Sequence, residues 1–459
     1  MKNKKIVVLL KYFKGELNPF DGSALECALQ SGATDITAVT MSPIGVKDTF
    51  KSLTRLGVKC VMISDPVYAG SDTIATSYIL SQAIKRLNPD LIFCGRQSVD
   101  GDTAQVPPML AKRLDFDIKT KAIAFDKDVV TLRNGEVFTP QNKTIITFEK
   151  FKTLRFPSIF SKLLDIEVLD NSILRLDLDK CGLKGSPTRV INSYESSVGR
   201  RDCKFITKEQ LFDVIKDSLD RQRVQKTPTV TEKLEQIYYV GDVKDIADSI
   251  AKSAIKIDVD GKTPRQVADD LISKNAKTVL FEDSDTLKVL SSQVAVLCNA
   301  GVCADCISFS VKDGKFIMTR PALGGNVTAD IVCDSDMTFA TVRTVKKGDA
   351  DVIFSVGKGA IDYIDKIKNL ALNFSAEVCC SRIVADSGKL PYDKQVGLTG
   401  RTVCPKVYVA FGISGAVQHT SAIAGAGTVI AVNLDKDARL FDYADYGIVD
   451  DVANLFDNF

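Results

Sequence analysis

The sequence predicts an α/β protein built on parallel β-sheets. Short apolar segments alternate with stretches of helical length, and these segments are apolar on both faces, as buried parallel strands are. The first of them, Lys5–Lys11, contains the continuous apolar run Ile6–Leu10. The length of 459 residues adds a third observation, because it suggests several domains at ~150 residues each.

The front of the chain predicts regular βαβ units, which place ligands beyond the carboxyl ends of the strands. The expected strands are Lys5–Lys11, Asp35–Met41, Lys59–Ile63 and Asp90–Cys94, and the expected helices are Asp21–Gln30, Val46–Leu56 and Ser71–Leu87. Asp21 is the candidate N-cap of the first helix. Asn134-Gly135, between two short apolar runs, predicts a hairpin turn.

The middle of the chain contains a helix signal and a linker signal. Thr207-x-x-Gln210 is a capping box in front of an amphipathic helix, Thr207–Leu219, which we expect to pack on the last domain. The polar segment Asp220–Thr231 contains a proline and is the predicted linker. Later expected elements are Gln266–Lys274, Thr278–Glu282, Leu287–Ala300, a hairpin over Cys306–Thr319, strands Val352–Val356, Glu377–Cys380, Val407–Ala410 and Val429–Asn433, and a last helix near the C-terminus.

Composition excludes several classes of function. Lysine plus arginine (60) nearly balances aspartate plus glutamate (58), and a net charge of +2 gives no support to a nucleic-acid or anionic-membrane partner. Ile6–Leu10 is too short for a signal-peptide core or a membrane span, so we expect a cytoplasmic protein without membrane insertion. A hydrophobic content of 45% excludes a largely disordered chain.

The cysteines predict no metal site. There are twelve, but Cys303-Ala-Asp-Cys306 is the single CxxC and the chain has one histidine, which leaves no complete zinc or iron–sulfur ligand set. Small buried thiols are the favoured interpretation.

A glycine turn near the C-terminus is a candidate phosphate site. Gly412 and Gly415 directly follow an expected strand and allow close backbone approach before a helix start, although a tight strand–helix turn explains the same pattern. His419, the only histidine, lies just beyond. A lone histidine is usually structural, but a donor here could stabilise negative charge on a reduced cofactor ring.

At this point a family resemblance becomes specific. The motifs that carry it are Cys380–Gly388, Pro391–Arg401, Gly412–His419, Ala431–Asn433 and Ala444–Val449. In order and spacing they resemble the FAD-binding domain of the electron transfer flavoprotein alpha subunit. Upstream, Cys306 and Thr319–Asn326 resemble the N-terminal domain of that subunit.

The front of the chain resembles the beta subunit of the same family. The matching motifs are Asn18–Asp21, Ala24–Glu26, Cys94–Gln105, Arg155–Ser158 and Gly182–Arg189. The resemblance implies a beta–alpha fusion with Rossmann-like, adenine-nucleotide-hydrolase-like doubly wound parallel sheets and a flavodoxin-like FAD-binding domain. The implied segments are a beta-type domain over 1–190, an arm and linker over 191–231, a reduced alpha-type N-terminal domain over 232–345 and the FAD-binding domain over 346–459.

The resemblance also implies an alpha-type FAD site. By matching motif it is lined by Lys358, Ser381, Arg382, Val396, Gly397, Leu398, Thr399, Ser414, Gly415, Ala416, Val417, Gln418, His419, Asn433 and Asp445. Arg382 would favour an anionic flavin, His419 would donate toward the C2 carbonyl, and Thr399 would lie near N5. Asn433 and Asp445 suit the adenosine and ribitol end. A surface ion pair is the alternative for Arg382.

Two positions depart from the family pattern. Lys358 stands where the family usually has arginine, which keeps the charge but loses the bidentate geometry. Leu398 stands where the family usually has glutamine.

The beta-type part implies an adenine-nucleotide site. Ordinary members hold AMP there and electron-bifurcating members hold a second FAD; Ala69–Tyr78 with Cys94–Gln97 resembles the bifurcating branch. The implied ligands are Asp72, Thr73, Ala75, Thr76, Gly95, Arg96, Asp100, Gly101, Asp102, Thr103, Ala104 and Gln105. A helix cap at Ser71 or Asp72 is the alternative, and both roles can coexist.

The resemblance leaves three functions open. The first is a bifurcating flavoprotein that takes a hydride from NADH and passes electrons to an acyl-CoA dehydrogenase-like partner and to ferredoxin or flavodoxin. The second is a one-electron carrier with FAD and structural AMP, and the third is a nucleotide-binding module without redox function. The family hairpin before Asn18 is missing, the alpha half is short, and the partner loop after Arg155–Ser158 lacks its basic tail.

Overall fold

The computed structural model describes residues 1–195, 200–219, 232–325, 327–344 and 350–456. The predicted linker, Asp220–Thr231, lies outside these residues. The chain forms two compact units, each assembled from separate stretches. The first unit comprises Met1–Ser193, Thr229–Leu323 and Ala329–Val342, and the second comprises Tyr194–Pro228, Gly324–Thr328 and Arg343–Phe459.

The strands of the described residues are, in chain order, β1 (Lys5–Leu10), β2 (Tyr12–Phe13), β3 (Glu16–Leu17), β4 (Asp35–Met41), β5 (Lys59–Ile63), β6 (Leu91–Gly95), β7 (Asp117–Asp126), β8 (Val129–Leu132), β9 (Val137–Phe138), β10 (Thr144–Phe148), β11 (Glu167–Leu169), β12 (Thr188–Glu195), β13 (Lys204–Phe205), β14 (Leu234–Val240), β15 (Ala251–Lys256), β16 (Thr278–Glu282), β17 (Gly301–Cys306), β18 (Ser308–Lys312), β19 (Lys315–Ala322), β20 (Val327–Cys333), β21 (Thr338–Val342), β22 (Val352–Val356), β23 (Glu377–Cys380), β24 (Val407–Phe411), β25 (Thr428–Asn433) and β26 (Tyr446–Val449).

The α-helices of the same residues are α1 (Pro19–Gln30), α2 (Lys47–Lys51), α3 (Thr73–Leu87), α4 (Val106–Leu114), α5 (Asn171–Leu174), α6 (Leu211–Leu219), α7 (Lys244–Ile250), α8 (Pro264–Ser273), α9 (Asp285–Cys298), α10 (Ile364–Leu372), α11 (Arg382–Asp386) and α12 (Val417–Thr420). None of these helices combines the length and the apolar character that a membrane crossing requires.

The first unit is built around a nine-stranded sheet with the order β11-β5-β4-β1-β6-β10-β7-β8-β9. Its strands pair in parallel from β11 to β7, and β7, β8 and β9 form antiparallel pairs. The central strand β1 is apolar on both faces because it is covered on both sides, and Ile6, Val7 and Val8 are fully buried. The same unit contains the parallel sheet β15-β14-β16-β21-β17 and the sheet β12-β20-β19-β18.

The start of α1 differs from the sequence expectation. Asn18 is the N-cap and Pro19 occupies the first turn, so Asp21 lies inside the helix and does not cap it. Its carboxylate is instead hydrogen bonded to two strand ends, as described below. Between β1 and Asn18 the chain forms a short antiparallel hairpin, β2 with β3.

The second unit is a six-stranded, fully parallel sheet with the order β13-β26-β25-β24-β22-β23. The predicted capping box of Thr207 and Gln210 is present. Leu211 and Ile215 of α6 are buried in the core of this sheet, which is the packing that the amphipathic pattern predicts. The last expected helix is a single 3-10 segment, Val452–Phe456.

Candidate functional site

A large cavity opens at the switch point of the nine-stranded sheet. The chain leaves β1 toward β4 and β5 on one side, while β6 and β10 follow on the other side, and ligands bind at such reversals. The cavity has a volume of about 970 Å³. It is lined by the ends of β1, β4 and β6, the loop Ser98–Gln105, the start of α3, and residues Val302–Ala304.

The loop Ser98–Gln105 presents backbone donors. Ala104 has a left-handed backbone (φ 55°), and Gln105, which follows it, is right-handed (φ −90°). In proteins, alternation of left- and right-handed residues turns successive N–H groups toward one side, a backbone shape that suits an anion. Among the described residues, the N–H groups of Thr103, Ala104 and Gln105 make no hydrogen bond.

Arg320 of β19 supports this loop and was not assigned by the sequence. Its Nη1 donates to the Gly101 carbonyl (2.8 Å) and its Nη2 to the Asp102 carbonyl (3.3 Å). It lines the cavity although only 5% of its surface is exposed. The available signal was its position, two residues after the buried Met318 and therefore on the same face of a strand.

Asp72 lines the cavity, but both of its carboxylate oxygens have protein partners. Oδ1 accepts from the N–H groups of Ile74 (2.9 Å) and Ala75 (3.0 Å), which makes Asp72 the N-cap of α3. Oδ2 accepts from the N–H (3.1 Å) and hydroxyl (2.7 Å) of Thr188. The helix-cap alternative is therefore observed, alongside a position at the cavity wall.

The neighbouring predicted residues fall into two groups. Thr73 and Thr76 line the cavity, and the Thr73 hydroxyl donates to Gln105 Oε1 (3.0 Å). Ala75 is fully buried and does not line it. Gln105 Nε2 donates to the Val302 carbonyl (3.3 Å), so the loop is also connected to β17.

Asp21 spans the switch point. Its Oδ2 accepts from the Lys11 N–H and its Oδ1 from the Gly95 N–H, each at 2.8 Å. Burial raises the pKa of this carboxyl to about 7 against the opposing effect of these donors. A Cβ at Gly95 would lie 2.3 Å from Asp21 Oδ1, so this close approach requires glycine.

Arg96, Asp100 and Asp102, three expected ligands, do not line the cavity. Arg96 is buried, with Nε 3.1 Å from Glu149 Oε1. Asp100 pairs with Lys11 (2.8 Å), and Asp102 accepts from Gln97 Nε2. Gly95, Gly101, Thr103, Ala104 and Gln105 do line it. The guanidinium of Arg96 lies beside a buried carboxylate, and its role as a ligand stays a prediction.

Tightly packed glycine turns follow the strands of the second unit. A Cβ at Gly357, after β22, would lie 2.2 Å from the Gly412 carbonyl oxygen. Gly415 has φ 84°, and a Cβ there would lie 2.1 Å from the Leu440 nitrogen. The helix after these glycines, α12, is a single turn, Val417–Thr420.

Two predicted segments meet beside this turn. The Leu398 N–H donates to the Gln418 carbonyl (2.7 Å), which joins the segment Val396–Thr399 to α12. Gly397 belongs to the same contact, because its Cβ position is 3.1 Å from the Gln418 oxygen. The Thr399 hydroxyl accepts from Gln395 Nε2 (2.7 Å).

His419 is buried in the same place, next to Val417. Its Nε2 lies 2.7 Å from the Tyr408 hydroxyl. Its Nδ1 makes no hydrogen bond to the described residues. Burial lowers the pKa of His419 to about 4, so the ring is neutral near pH 7. Ser414, Ala416 and Gln418 alternate with these buried residues and are exposed.

The ends of β22 and β23 bring three further predicted residues to the same edge. Ser381 follows β23, and its buried hydroxyl makes no hydrogen bond to the described residues. Arg382 Nε lies 3.3 Å from Asp386, four positions later in α11, so the ion pair considered from sequence is present. Lys358 follows β22 and is exposed.

Asn433 lies at the carboxyl ends of the parallel strands, and Asp445 lies at their amino ends. Asn433 ends β25 and donates to the Ile413 carbonyl (2.9 Å), which supports the glycine turn. Asp445 precedes β26, where it accepts from the Val429 N–H (2.8 Å) and pairs with Arg201 (2.5 Å). The structure thus separates Asp445 from the other predicted FAD residues. Asp450 and Asp451 follow β26 at the edge where Asn433 lies.

The CxxC cysteines are buried. Cys306 Sγ donates to the Cys303 carbonyl (3.6 Å), and burial raises the pKa of the Cys306 thiol. Within the described ranges, no three histidine, cysteine or acidic side chains form a group suited to a metal ion.

Parallel sheets with anion-binding turns at their carboxyl edges are the mark of nucleotide-binding α/β proteins. Comparison with known families is consistent with that class. Residues 348–424 match the electron transfer flavoprotein FAD-binding domain. Residues 6–136 and 256–351 match the electron transfer flavoprotein domain. The chain belongs to the electron transfer flavoprotein family.

The relatives include both kinds of subunit of this family. The alpha subunit from Thermoanaerobacterium thermosaccharolyticum is 34% identical over 36% of this chain, and the match spans 64% of that subunit. The beta subunit from the same organism is 34% identical over 38% of this chain and 74% of its own length. The acryloyl-CoA reductase electron transfer subunit gamma of Anaerotignum propionicum is 38% identical over 39% of this chain and 76% of its own length. The chain thus spans less than two thirds of the alpha-type relative and combines similarity to both subunits.

Proposed function

We propose that this fused flavoprotein binds FAD at the carboxyl edge of the six-stranded sheet and a second FAD in the cavity of the first unit. It passes electrons from NADH to an acyl-CoA dehydrogenase-like flavoenzyme. In the bifurcating form of the proposal, ferredoxin or flavodoxin receives the second electron. The bound flavins supply the redox chemistry, and a cytoplasmic location is part of the proposal.

The observation that carries the second FAD is the size and lining of the cavity. A volume of about 970 Å³ lies at the upper end of the ~300–1,000 Å³ typical of ligand pockets. The N–H groups of Thr103, Ala104 and Gln105 suit a pyrophosphate. Val39, Ile63 and other apolar side chains line the remainder and suit a flat ring system.

The residues of the second unit fit FAD through their unsatisfied groups and their backbone shape. The buried Ser381 hydroxyl and His419 Nδ1 make no standard hydrogen bond to the described residues. Gly357 and Gly415 keep the turn backbone free of side chains. Lys358 and Arg382 add positive charge at the same edge, where the ligand phosphates are anionic.

A one-electron carrier with FAD and AMP is the second candidate. The specific observation in its favour is that Asp72 and Arg96, expected beside a second flavin, are engaged by Thr188 and Glu149. With these groups committed to protein contacts, the backbone donors of the Thr103–Gln105 loop alone are sufficient for a single phosphate.

The partner class is supported by a relative and by an exposed apolar segment. One relative is named as an acryloyl-CoA reductase electron transfer subunit. Phe156 and Phe160 are 94% and 88% exposed, and they follow Arg155, which is held by the buried Glu26 (2.6 Å). An exposed apolar pair on an anchored segment is suited to docking a partner protein.

The test is the nucleotide content of the purified chain. Acid release followed by chromatography and mass spectrometry should find two FAD per chain, or one FAD with a second restored by added FAD. NADH alone should then bleach the protein under anaerobic conditions. One AMP per chain that added FAD never displaces would contradict the second flavin and favour the simple carrier.

The variant for this test should leave the fold intact. Asp72→Ala is unsuitable, because it removes a helix cap that is worth ~0.5–2 kcal/mol together with the contacts to Thr188. Thr73→Val keeps the side-chain shape and removes the hydroxyl at the cavity wall together with its hydrogen bond to Gln105 Oε1. We expect Thr73→Val to weaken bleaching by NADH while the FAD of the second unit remains reducible by dithionite.

A further inference from the structure

A bulge in β17 brings the two cysteines of the CxxC motif together. β17 pairs in parallel with β21, and the partners of Cys303 and Cys306 are Ala340 and Val342. Between these pairs β17 advances by three residues and β21 by two, which is a β-bulge. The extra residue is accommodated beside Asp305, whose backbone is left-handed (φ 57°).

The bulge determines the faces on which the two side chains lie. In a regular strand, residues three positions apart lie on opposite faces, because successive side chains alternate. Cys303 and Cys306 instead share a face, as their partners Ala340 and Val342 do, and all four belong to one buried apolar cluster. Accordingly, Cys306 Sγ reaches the carbonyl oxygen of Cys303 (3.6 Å).

The spacing of the two residues suits a disulfide. Two residues of a parallel strand span ~6.6 Å, and the register gives the Cα atoms of Cys303 and Cys306 about that separation. Disulfides join Cα atoms that are ~4.4–6.8 Å apart, so the pair lies at the upper end of that range. A CxxC in a regular strand would span ~10 Å, which is too far. Both cysteines are free thiols in the structure.

The cavity of the first unit gives small molecules a route to this strand. Val302, Cys303 and Ala304 are among its lining residues, whereas Cys306 is fully buried behind them and does not line it. Only 1% of the Cys303 surface is exposed, so a reagent has to enter the cavity to meet it. Cys303 is therefore the first thiol that such a reagent reaches, and Cys306 is the neighbouring thiol that can complete a disulfide.

We propose that Cys303 and Cys306 are a redox-active dithiol, which hydrogen peroxide entering the cavity converts into a disulfide. The Cys303 sulfur attacks the peroxide: a sulfur–oxygen bond forms, the oxygen–oxygen bond breaks, and the thiol proton leaves in a water molecule. The Cys306 sulfur then attacks the sulfenic acid, so that the disulfide forms and a second water molecule leaves. The two thiols lose two electrons, and the peroxide takes them up.

Differential alkylation locates the disulfide in the full-length protein. Reduced protein is treated with hydrogen peroxide, alkylated in urea with N-ethylmaleimide, reduced again and alkylated with iodoacetamide. Lys288 and Lys312 bound a tryptic peptide that contains Cys298, Cys303 and Cys306, so fragment spectra of one peptide report on all three thiols. We expect iodoacetamide on Cys303 and Cys306 in most chains and N-ethylmaleimide on Cys298. Any other assignment for Cys303 or Cys306 would overturn the proposal.

Serine variants separate the two steps. In Cys306→Ser the second thiol is missing, so Cys303 should stop at the sulfenic acid, which dimedone traps. In Cys303→Ser we expect no dimedone adduct on Cys306, because Cys306 does not line the cavity. Cys298→Ser is the matched control, since Cys298 ends α9 on the same peptide and outside the bulge, and this variant should form the disulfide as the wild type does. Sulfenic acid on Cys306 in Cys303→Ser, or loss of the disulfide in Cys298→Ser, would contradict the proposal.

Discussion

The carboxyl edges of the two large sheets differ in how they make room for a ligand. The nine-stranded sheet ends at a cavity of about 970 Å³, whose wall includes buried ionisable groups such as Asp21 and Arg320. The six-stranded sheet ends at glycine turns so closely packed that Gly357 and Gly415 have no room for a Cβ. The first edge depends on side chains that hold a loop in place, and the second depends on the absence of side chains.

The largest expected effect concerns the closely packed glycine turns of the six-stranded sheet. Gly415→Ala places a Cβ 2.1 Å from the Leu440 nitrogen at a φ of 84°, so the turn must move. Backbone strain of this kind costs ~1–3 kcal/mol before the clash is counted. We expect loss of FAD from the second unit and a lower urea midpoint of unfolding. Gly388→Ala is the matched control, because Gly388 also has a positive φ (73°) but open space around it; equal effects of the two variants would show that the packing at Gly415 is unimportant.

The second prediction contrasts the two edges by pH. The pKa of Asp21 is raised to about 7, so its protonated form favours the folded state. That stability is fully present below the unfolded pKa, near 4, and is lost as the pH rises through about 7, a change of up to ~4 kcal/mol. Compared with Asp21→Asn, the wild-type chain should lose free energy of unfolding between about pH 4.5 and about pH 7.5.

Glu377 of the second unit has the opposite dependence. Hydrogen bonds from Arg401, together with Lys394, lower its pKa to about 2, so its contribution to stability is present above the unfolded pKa and is lost as the pH falls toward 2.

Asp48→Asn is the surface control for the Asp21 experiment, since Asp48 is exposed. Parallel pH curves for wild type and Asp21→Asn would show that Asp21 titrates normally.

The third prediction concerns the loop at the cavity of the nine-stranded sheet. Arg320→Met removes two charged hydrogen bonds that hold the Gly101–Asp102 backbone. Hydrogen bonds to charged groups are worth ~1.5–3 kcal/mol, so nucleotide binding in the cavity should weaken ~10–100-fold. FAD content of the second unit should not change. Arg189→Met, which removes an exposed ion pair with Asp334, should leave both contents unchanged. Full nucleotide content in Arg320→Met would argue against the loop as the binding element.

The smallest expected effect is electronic. His419→Ala should retain FAD but lower its potential, because a donor to developing negative charge is lost. A charged hydrogen bond of ~1.5–3 kcal/mol corresponds to roughly 60–130 mV for a one-electron couple. Redox titration of the variant measures the shift, and Leu398→Gln, which restores the usual family side chain, offers a comparison in the same segment. An unchanged potential in His419→Ala would remove the histidine from the flavin environment.

Strands were the most predictable part of this molecule. Thr278–Glu282 and Glu377–Cys380 have the bounds that the sequence predicts, because parallel strands between layers are rich in apolar residues. The glycine turn after β24 was also visible, since Gly412 and Gly415 directly follow a strand. Signals of this kind depend only on residues that are neighbours in the sequence.

Several contacts that the sequence did not indicate involve partners distant in sequence. Aspartate is a common N-cap residue, but the carboxylate of Asp21 accepts a hydrogen bond from the Gly95 N–H. Arg96 lies in a ligand motif, but it turns toward Glu149. Asp445 belongs to a matching motif but precedes its strand, β26. The motif alone does not show whether a residue lies at the amino or the carboxyl end of a strand. Arg320 was missed because its role appears only when β19 lies beside the loop.

The first strand and helix of the second unit precede the segment Asp220–Thr231 in the chain. β13 pairs with β26, and Leu211 with Ile215 fills the core of that sheet. If the chain were cut within Asp220–Thr231, the C-terminal fragment would have β26 as an unpaired edge and a vacant apolar groove, and the N-terminal fragment would end in the strand and helix that complete it. Two separately made fragments are therefore expected to associate through this strand and helix, and the association should restore the six-stranded sheet.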